Sequence, residues 1–223
     1  MRKRFSRFLL PVLLLCVYGD AQVGVIKGFV VDETGKPISR ADVTWLRVAR
    51  DGQVEVQVGV VPRSRTNNQG HFIIRALALG DPYKIYAQKE DAFYPDMTFG
   101  LYNPKDDATI VTATTEDKAS DVTIHPGPKA GQLALDVRDA ATGMPVNPTI
   151  SVKRTQTGEG FGGGDQANAR FLIPANTDVS FTASAPGYET WYYPGTTDEK
   201  QSTPLRVKPK EQKLLEIQLE RKR

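Results

Sequence analysis

The densest set of chemically useful side chains in this sequence is aromatic. Tyr188, Trp191, Tyr192 and Tyr193 fall close together, bracketed by Pro186-Gly187 and Pro194-Gly195. Phe93 and Tyr94, with Phe99 and Tyr102 beyond them, follow a similar strand-like run about a hundred residues earlier. Flat rings carried on a loop can stack on the faces of sugars. The same rings can instead plug the open end of a β-sandwich and leave tyrosine hydroxyls at the rim. Tyr188, Trp191, Tyr192, Tyr193, Phe93 and Tyr94 are therefore the candidate ligand-binding residues. Trp45, which alternates with Val43, reads as core.

Other chemistry is poorly provided for. The two histidines, His71 and His125, lie far apart, and neither begins a His-x-x-Glu pair. A zinc site needs three or four convergent ligands, so no metal is expected. The only cysteine is Cys16, in the N-terminal apolar run, which leaves no thiol for catalysis. No Gly-x-Ser-x-Gly elbow is present. Gly158-Glu159-Gly160-Phe161-Gly162-Gly163 satisfies Gly-x-Gly-x-x-Gly in form. A phosphate-binding loop must open a helix, and strand-forming residues follow here, so a hairpin tip is the better reading. The doublets Asp106-Asp107 and Glu116-Asp117 lack the alternate spacing of a calcium loop. No catalytic residue, metal or cofactor follows from the sequence, and the chain reads as a non-enzyme.

The first residues set the compartment. Arg2, Lys3, Arg4 and Arg7 precede an apolar run from Phe8 to Tyr18, and Gly19-Asp20-Ala21 supplies small residues for cleavage. This is the pattern of a signal peptide over 1–21, with the mature chain beginning at Gln22. The run is too short to span a bilayer. Leu15 is bulky where lipidation of Cys16 would want a small residue. The formal charge of +3 belongs to that leader, which holds four basic residues against Asp20. The mature chain is neutral, without the basic footprint of a nucleic-acid binder. Without disulfides its cores must carry stability alone, and about 200 residues suffice for two domains.

The rest reads as strands, and the pattern occurs twice. Val25 to Asp32 ends at Glu33-Thr34-Gly35-Lys36-Pro37; Gln132 to Asp139 ends at Ala141-Thr142-Gly143-Met144-Pro145. Asp42-Val43-Thr44-Trp45 answers Thr149-Ile150-Ser151-Val152, and Phe72-Ile73-Ile74 answers Phe171-Leu172-Ile173. Tyr83 to Ala87 answers Val179 to Ala183, and an aromatic pair with Pro follows each. Val122-Thr123-Ile124 and Leu215 to Leu219 close the two copies. The charged C-terminal stretch alternates Leu215, Ile217 and Leu219 with polar residues, which predicts a strand and not a helix. Short strands with turn signals between them indicate sandwiches. The expected architecture is all-β, two tandem immunoglobulin-like antiparallel sandwiches over 22–126 and 127–223.

These residues resemble carboxypeptidase regulatory-like domains, which have a transthyretin-like, starch-binding-like sandwich fold. Copy one carries the motif at Gly28, Asp32, Gly35, Pro37, Ala41, Val43, Thr66, Gly70, Phe72, Tyr83 and Ala87. Copy two carries it at Asp139, Gly143, Pro145, Phe171, Ala183, Gly187 and Tyr188. It departs at Asp165-Gln166-Ala167-Asn168-Ala169, where a Thr-x-x-x-Gly turn is expected, so that hairpin should differ in shape. The resemblance implies the fold and a non-catalytic role. It also favours the plug reading of the aromatics, because Tyr-Tyr-Pro-Gly is part of the family plan. The iron site of dioxygenases and the terminus of hydroxyisourate hydrolases, which use related folds, have no counterpart here.

The functional expectation is an exported, periplasmic or secreted protein that binds carbohydrate or cell-envelope material through loops at the sandwich ends. The alternative is a structural or protein-interaction scaffold in an envelope assembly. No nucleic-acid partner is expected, nor a membrane span after signal cleavage.

Overall fold

The structure is a computed structural model that describes residues 23–49, 52, 54–55, 62–97, 109–164 and 166–223. The expected signal peptide with Cys16 and the expected start at Gln22, and also Phe99, Tyr102 and Asp106-Asp107, lie outside the described residues.

Among the described residues the first half has seven strands: β1 (Val23–Val30), β2 (Asp42–Arg47), β3 (Arg63–Arg65), β4 (His71–Ala78), β5 (Pro82–Gln88), β6 (Thr109–Thr112) and β7 (Asp121–Ile124). They make a three-stranded sheet, β4-β1-β7, and a four-stranded sheet, β3-β2-β5-β6. Seven more follow: β8 (Gly131–Asp139), β9 (Thr149–Arg154), β10 (Gly160–Gly164), β11 (Arg170–Ile173), β12 (Val179–Ser184), β13 (Trp191–Tyr192) and β14 (Gln212–Leu219). Their sheets are β11-β8-β14 and β10-β9-β12-β13. Advancing every strand of the first pair of sheets by seven gives the second pair, so the repeated sequence pattern is a repeated topology.

Neither three-stranded sheet is wholly antiparallel. β1 runs parallel to β7, and β8 runs parallel to β14 from Gln132↔Gln212 to Asp139↔Leu219. The reason is counting. Strands that alternate in direction along the chain leave the first and seventh pointing the same way, and here those two are neighbours.

Burial follows the period of two. In β8 every odd-numbered residue from Gly131 to Asp139 is buried, and Leu133, Leu135 and Val137 enter the core with Phe181, Leu205 and Ile217. β14 turns Leu215, Ile217 and Leu219 inward, so the C-terminal stretch is a strand, as its alternation predicts. The first core gathers Ile26, Val30, Val43, Phe72, Ile74, Ile85 and Ile124, with Trp45 half-buried against it.

The same turn is built twice. Asp32 Oδ1 accepts hydrogen bonds from the Thr34 N–H (2.9 Å), the Lys36 N–H (2.9 Å) and the Thr34 hydroxyl (2.7 Å). Asp139 Oδ1 accepts from the N–H groups of Ala141 (2.9 Å) and Thr142 (2.8 Å). Gly35 and Gly143 take positive φ of 83° and 69°, which glycine adopts without strain. The copies part at the next hairpin. In copy one the buried Thr66 hydroxyl donates to the Ile38 carbonyl and accepts from the Ala41 N–H, both at 2.8 Å. In copy two Asn147 Oδ1 accepts from the Ala167 N–H (3.1 Å), and no glycine is needed. The Gly158–Gly163 motif continues into β10, an edge strand paired to β9, and opens no helix.

Gly28 lets β7 approach β1, since a Cβ there would run into the Val122 backbone. Gly28→Ala should lower stability by about 1–3 kcal/mol in urea titration. Gly164→Ala, with nothing within 4 Å of the added carbon, should stay within about 0.5 kcal/mol.

Candidate functional site

Strand parity divides the aromatic cluster. Adjacent residues of β13 face opposite ways, so Trp191 turns inward and Tyr192 outward. Trp191 is 6% exposed and meets Phe181 edge-on with centroids 6.1 Å apart, and Tyr193 at 6.4 Å. Tyr193 lies half-buried against the same core, and its hydroxyl accepts a 3.0 Å hydrogen bond from Lys213 Nζ. Tyr188 packs on that core from the sandwich end. In the first sandwich Tyr94 is buried, whereas Phe93 is half-buried at a left-handed position with φ of 65°.

The tyrosine hydroxyls at both ends reach carboxylates. Asp139 is buried at the end of β8, and its Oδ2 accepts from the Tyr188 hydroxyl (2.8 Å) and from Arg221 Nε (2.7 Å). Those bonds and the two from the turn hold the Asp139 carboxyl far below the usual carboxylate range. In the first sandwich the Tyr94 hydroxyl donates to Glu33 Oε2 at 2.7 Å. Lys129 Nζ lies 3.8 Å from Glu33 Oε1 and 4.8 Å from the centre of the Tyr94 ring. Burial, reinforced by Glu33, pushes the Tyr94 phenol well above its ordinary range, so it remains a donor. Arg221 and Lys129 both follow the closing strand of their copy. Sequence reasoning missed these triads, because the partners are far apart along the chain.

Tyr192 has a different setting. Register places Ser151, Thr182 and Tyr192 in one row across β9, β12 and β13. The row continues onto β10 at Gly162, which pairs with Ser151. Ser151, Thr182 and Tyr192, together with Thr190, Ser202 and Thr203, line a groove of about 480 Å³ on the outer face of the sheet. The groove also touches one cation, Lys153, and one anion, Glu199. The sequence signal for it was the polar half of the alternation in β9 and β12.

The remaining candidates do not converge. His71 packs edge-on against Phe29 at 5.1 Å, with Asp121 at 3.8 Å, while His125 borders a cleft with Glu33, Lys129 and Lys210. Among the described residues no group of three or more His, Cys, Asp or Glu could hold a metal ion. Nor is any helix among them long and apolar enough to cross a membrane.

No family model matches the chain, and no curated protein does. Solved structures align at low superposition scores. The Bacillus anthracis TIE protein aligns over 90% of this chain and 34% of its own, at 14% identity and a TM-score of 0.33. A streptococcal ancillary pilin aligns over 92% of this chain and 64% of its own, at 15% identity and a TM-score of 0.33. The shaft pilin SpaA of Lactobacillus rhamnosus GG aligns over 91% and 98%, at 12% identity and a TM-score of 0.33. The chain thus spans about a third and about two thirds of the first two neighbours. Alignments this loose carry nothing about the function of this chain, and the resemblance to carboxypeptidase regulatory-like modules rests on the residues quoted for it.

Trp191→Ala should cost about 3–5 kcal/mol in urea unfolding, and Tyr192→Ala less than about 1 kcal/mol. Acid provides a second test. The folded pKa of Asp139 lies below its unfolded value of about 3.9, so the stability it brings is complete above that value and is lost as pH falls. Asp139→Asn should be less stable than wild type at about pH 7. Its urea midpoint should then fall less than that of wild type between about pH 7 and about pH 3.

Proposed function

We propose that this chain is an exported, non-catalytic scaffold whose two carboxypeptidase regulatory-like sandwiches stand in a fixed relation and join or space partners in a cell-envelope assembly. The observation that carries this reading is the junction. Ala130 is buried between the halves; its N–H donates to the Phe93 carbonyl (2.9 Å) and its carbonyl accepts from the Lys210 N–H (2.8 Å). The Lys129 side chain is only 20% exposed, bridging from this segment to Glu33 and the Tyr94 ring. Gly127 sits so close to Met97 that a Cβ would fall 2.7 Å from its methyl group. A connector that only tethered the halves would not need contacts on both sides.

The ion pair itself is a small term, since Glu33 is 63% exposed and such pairs contribute about 0–1 kcal/mol. Its value lies in direction, because it is aimed by the Tyr94 hydroxyl and the Lys129–ring contact. Binding of carbohydrate or envelope material through loops at the sandwich ends is the less supported reading. Trp191 and Tyr94 are buried there, and the hydroxyls of Tyr188, Tyr94 and Tyr193 already have protein partners.

The mature sequence has no cysteine, so spin labels can be placed at will. With labels at Lys118 and Lys200, both exposed, wild type should give one narrow distance distribution. Tyr94→Phe combined with Lys129→Ala should broaden it at least about twofold. A distribution already broad in wild type would sink the fixed-relation scaffold.

A further inference from the structure

Among the six candidate aromatics, Tyr192 stands apart in having an outward ring beside a row of hydroxyls. Among the described residues, its ring stacks on no other ring and its hydroxyl has no hydrogen-bond partner. The same holds for the hydroxyls of Ser151, Thr182, Thr190, Ser202 and Thr203. Ser180 and Thr155, by contrast, already donate to the carbonyls of Lys153 and Asp178. The groove lining thus holds five Ser and Thr hydroxyls without a protein partner and two that are bonded to backbone carbonyls.

The groove has an identifiable chemistry. A hydroxyl both donates and accepts, so a line of Ser and Thr can answer a ligand that is itself a line of hydroxyls. Tyr192 supplies a flat apolar wall at one end of the row. At the other end of the row Gly162, paired with Ser151, adds no side chain to the outer face. Neighbouring strands lie about 4.8 Å apart, so Gly162, Ser151, Thr182 and Tyr192 span about 14 Å, the scale of a short oligosaccharide. Lys153 and Glu199 cancel in charge, which removes any preference for an ionic polymer. From this geometry we infer that the outer face of the β10-β9-β12-β13 sheet binds a neutral polysaccharide, stacking a sugar ring on Tyr192 and bonding its hydroxyls through Ser151 and Thr182. This site lies on a sheet face and not on the sandwich-end loops. It is independent of the scaffold reading, which stands or falls on the junction.

Affinity gels containing hydroxyethylcellulose, glucomannan or soluble starch, with polygalacturonate as the acidic counterpart, test the site on the full chain. At least one neutral polymer should retard the protein, and polygalacturonate should not. Tyr192→Ala should weaken that retardation about tenfold, and Thr182→Val about fivefold. Tyr192→Phe, which keeps the ring, should retain most of it. Both Tyr192 and Thr182 lie on the outer face, and circular dichroism of each variant separates lost binding from lost folding. No retardation by any of the three neutral polymers, equal retardation by polygalacturonate, or wild-type binding by a folded Tyr192→Ala would overturn the proposal.

Discussion

Each half of the molecule is closed by a carboxylate that a tyrosine hydroxyl and a basic side chain reach from separate segments. In the second half the carboxylate is Asp139, and the segments it joins are the end of β8, the β12–β13 loop and the stretch after β14. A buried carboxylate is costly unless its oxygens are bonded, and four donors answer that need here. In the first half Glu33 is more exposed, and the cation comes from the segment that connects the two halves. A carboxylate thus meets a tyrosine hydroxyl and a cation in each copy, Asp139 within the second and Glu33 with Lys129 of the connector in the first.

That constraint decides what the aromatics can do. Tyr188 and Tyr94 must present their hydroxyls to the carboxylates, which holds their rings against the sandwich end. Trp191 fills the core that Phe181 and Phe171 begin, with Phe171 and Phe181 stacked at 6.4 Å. Only after those positions are taken does parity leave Tyr192 facing water, next to the polar sides of β9 and β12. The cluster that forms a single feature in the sequence is three structural parts and one surface ring.

Much of the architecture could be read from residue order. Period-two alternation in Leu215 to Leu219 marked a strand buried on one face, and β14 is one. The Asp-to-Gly-to-Pro punctuation marked a turn that is built in both copies, in each by an Asp carboxylate oxygen accepting backbone N–H groups of the turn. The missing Thr-x-x-x-Gly element at Ala167 marked a different hairpin. The groove was harder to see, because no motif names it: its residues sit on β9, β12, β13 and the turn after them, and only register sets Ser151, Thr182 and Tyr192 side by side.

The sequence by itself determined the element types, the twofold repeat, the turn chemistry and the inward residues, because these depend on neighbours a few positions apart. It also confined the thiol to Cys16. Tertiary structure decided which strands are neighbours, and so made β1 and β7, and β8 and β14, parallel. It decided that Glu33, Tyr94 and Lys129 meet, and likewise Asp139, Tyr188 and Arg221. It also decided which tyrosine of the cluster faces out. Those outcomes depend on contacts between residues tens of positions apart, and local propensity and periodicity carry no information about such distances.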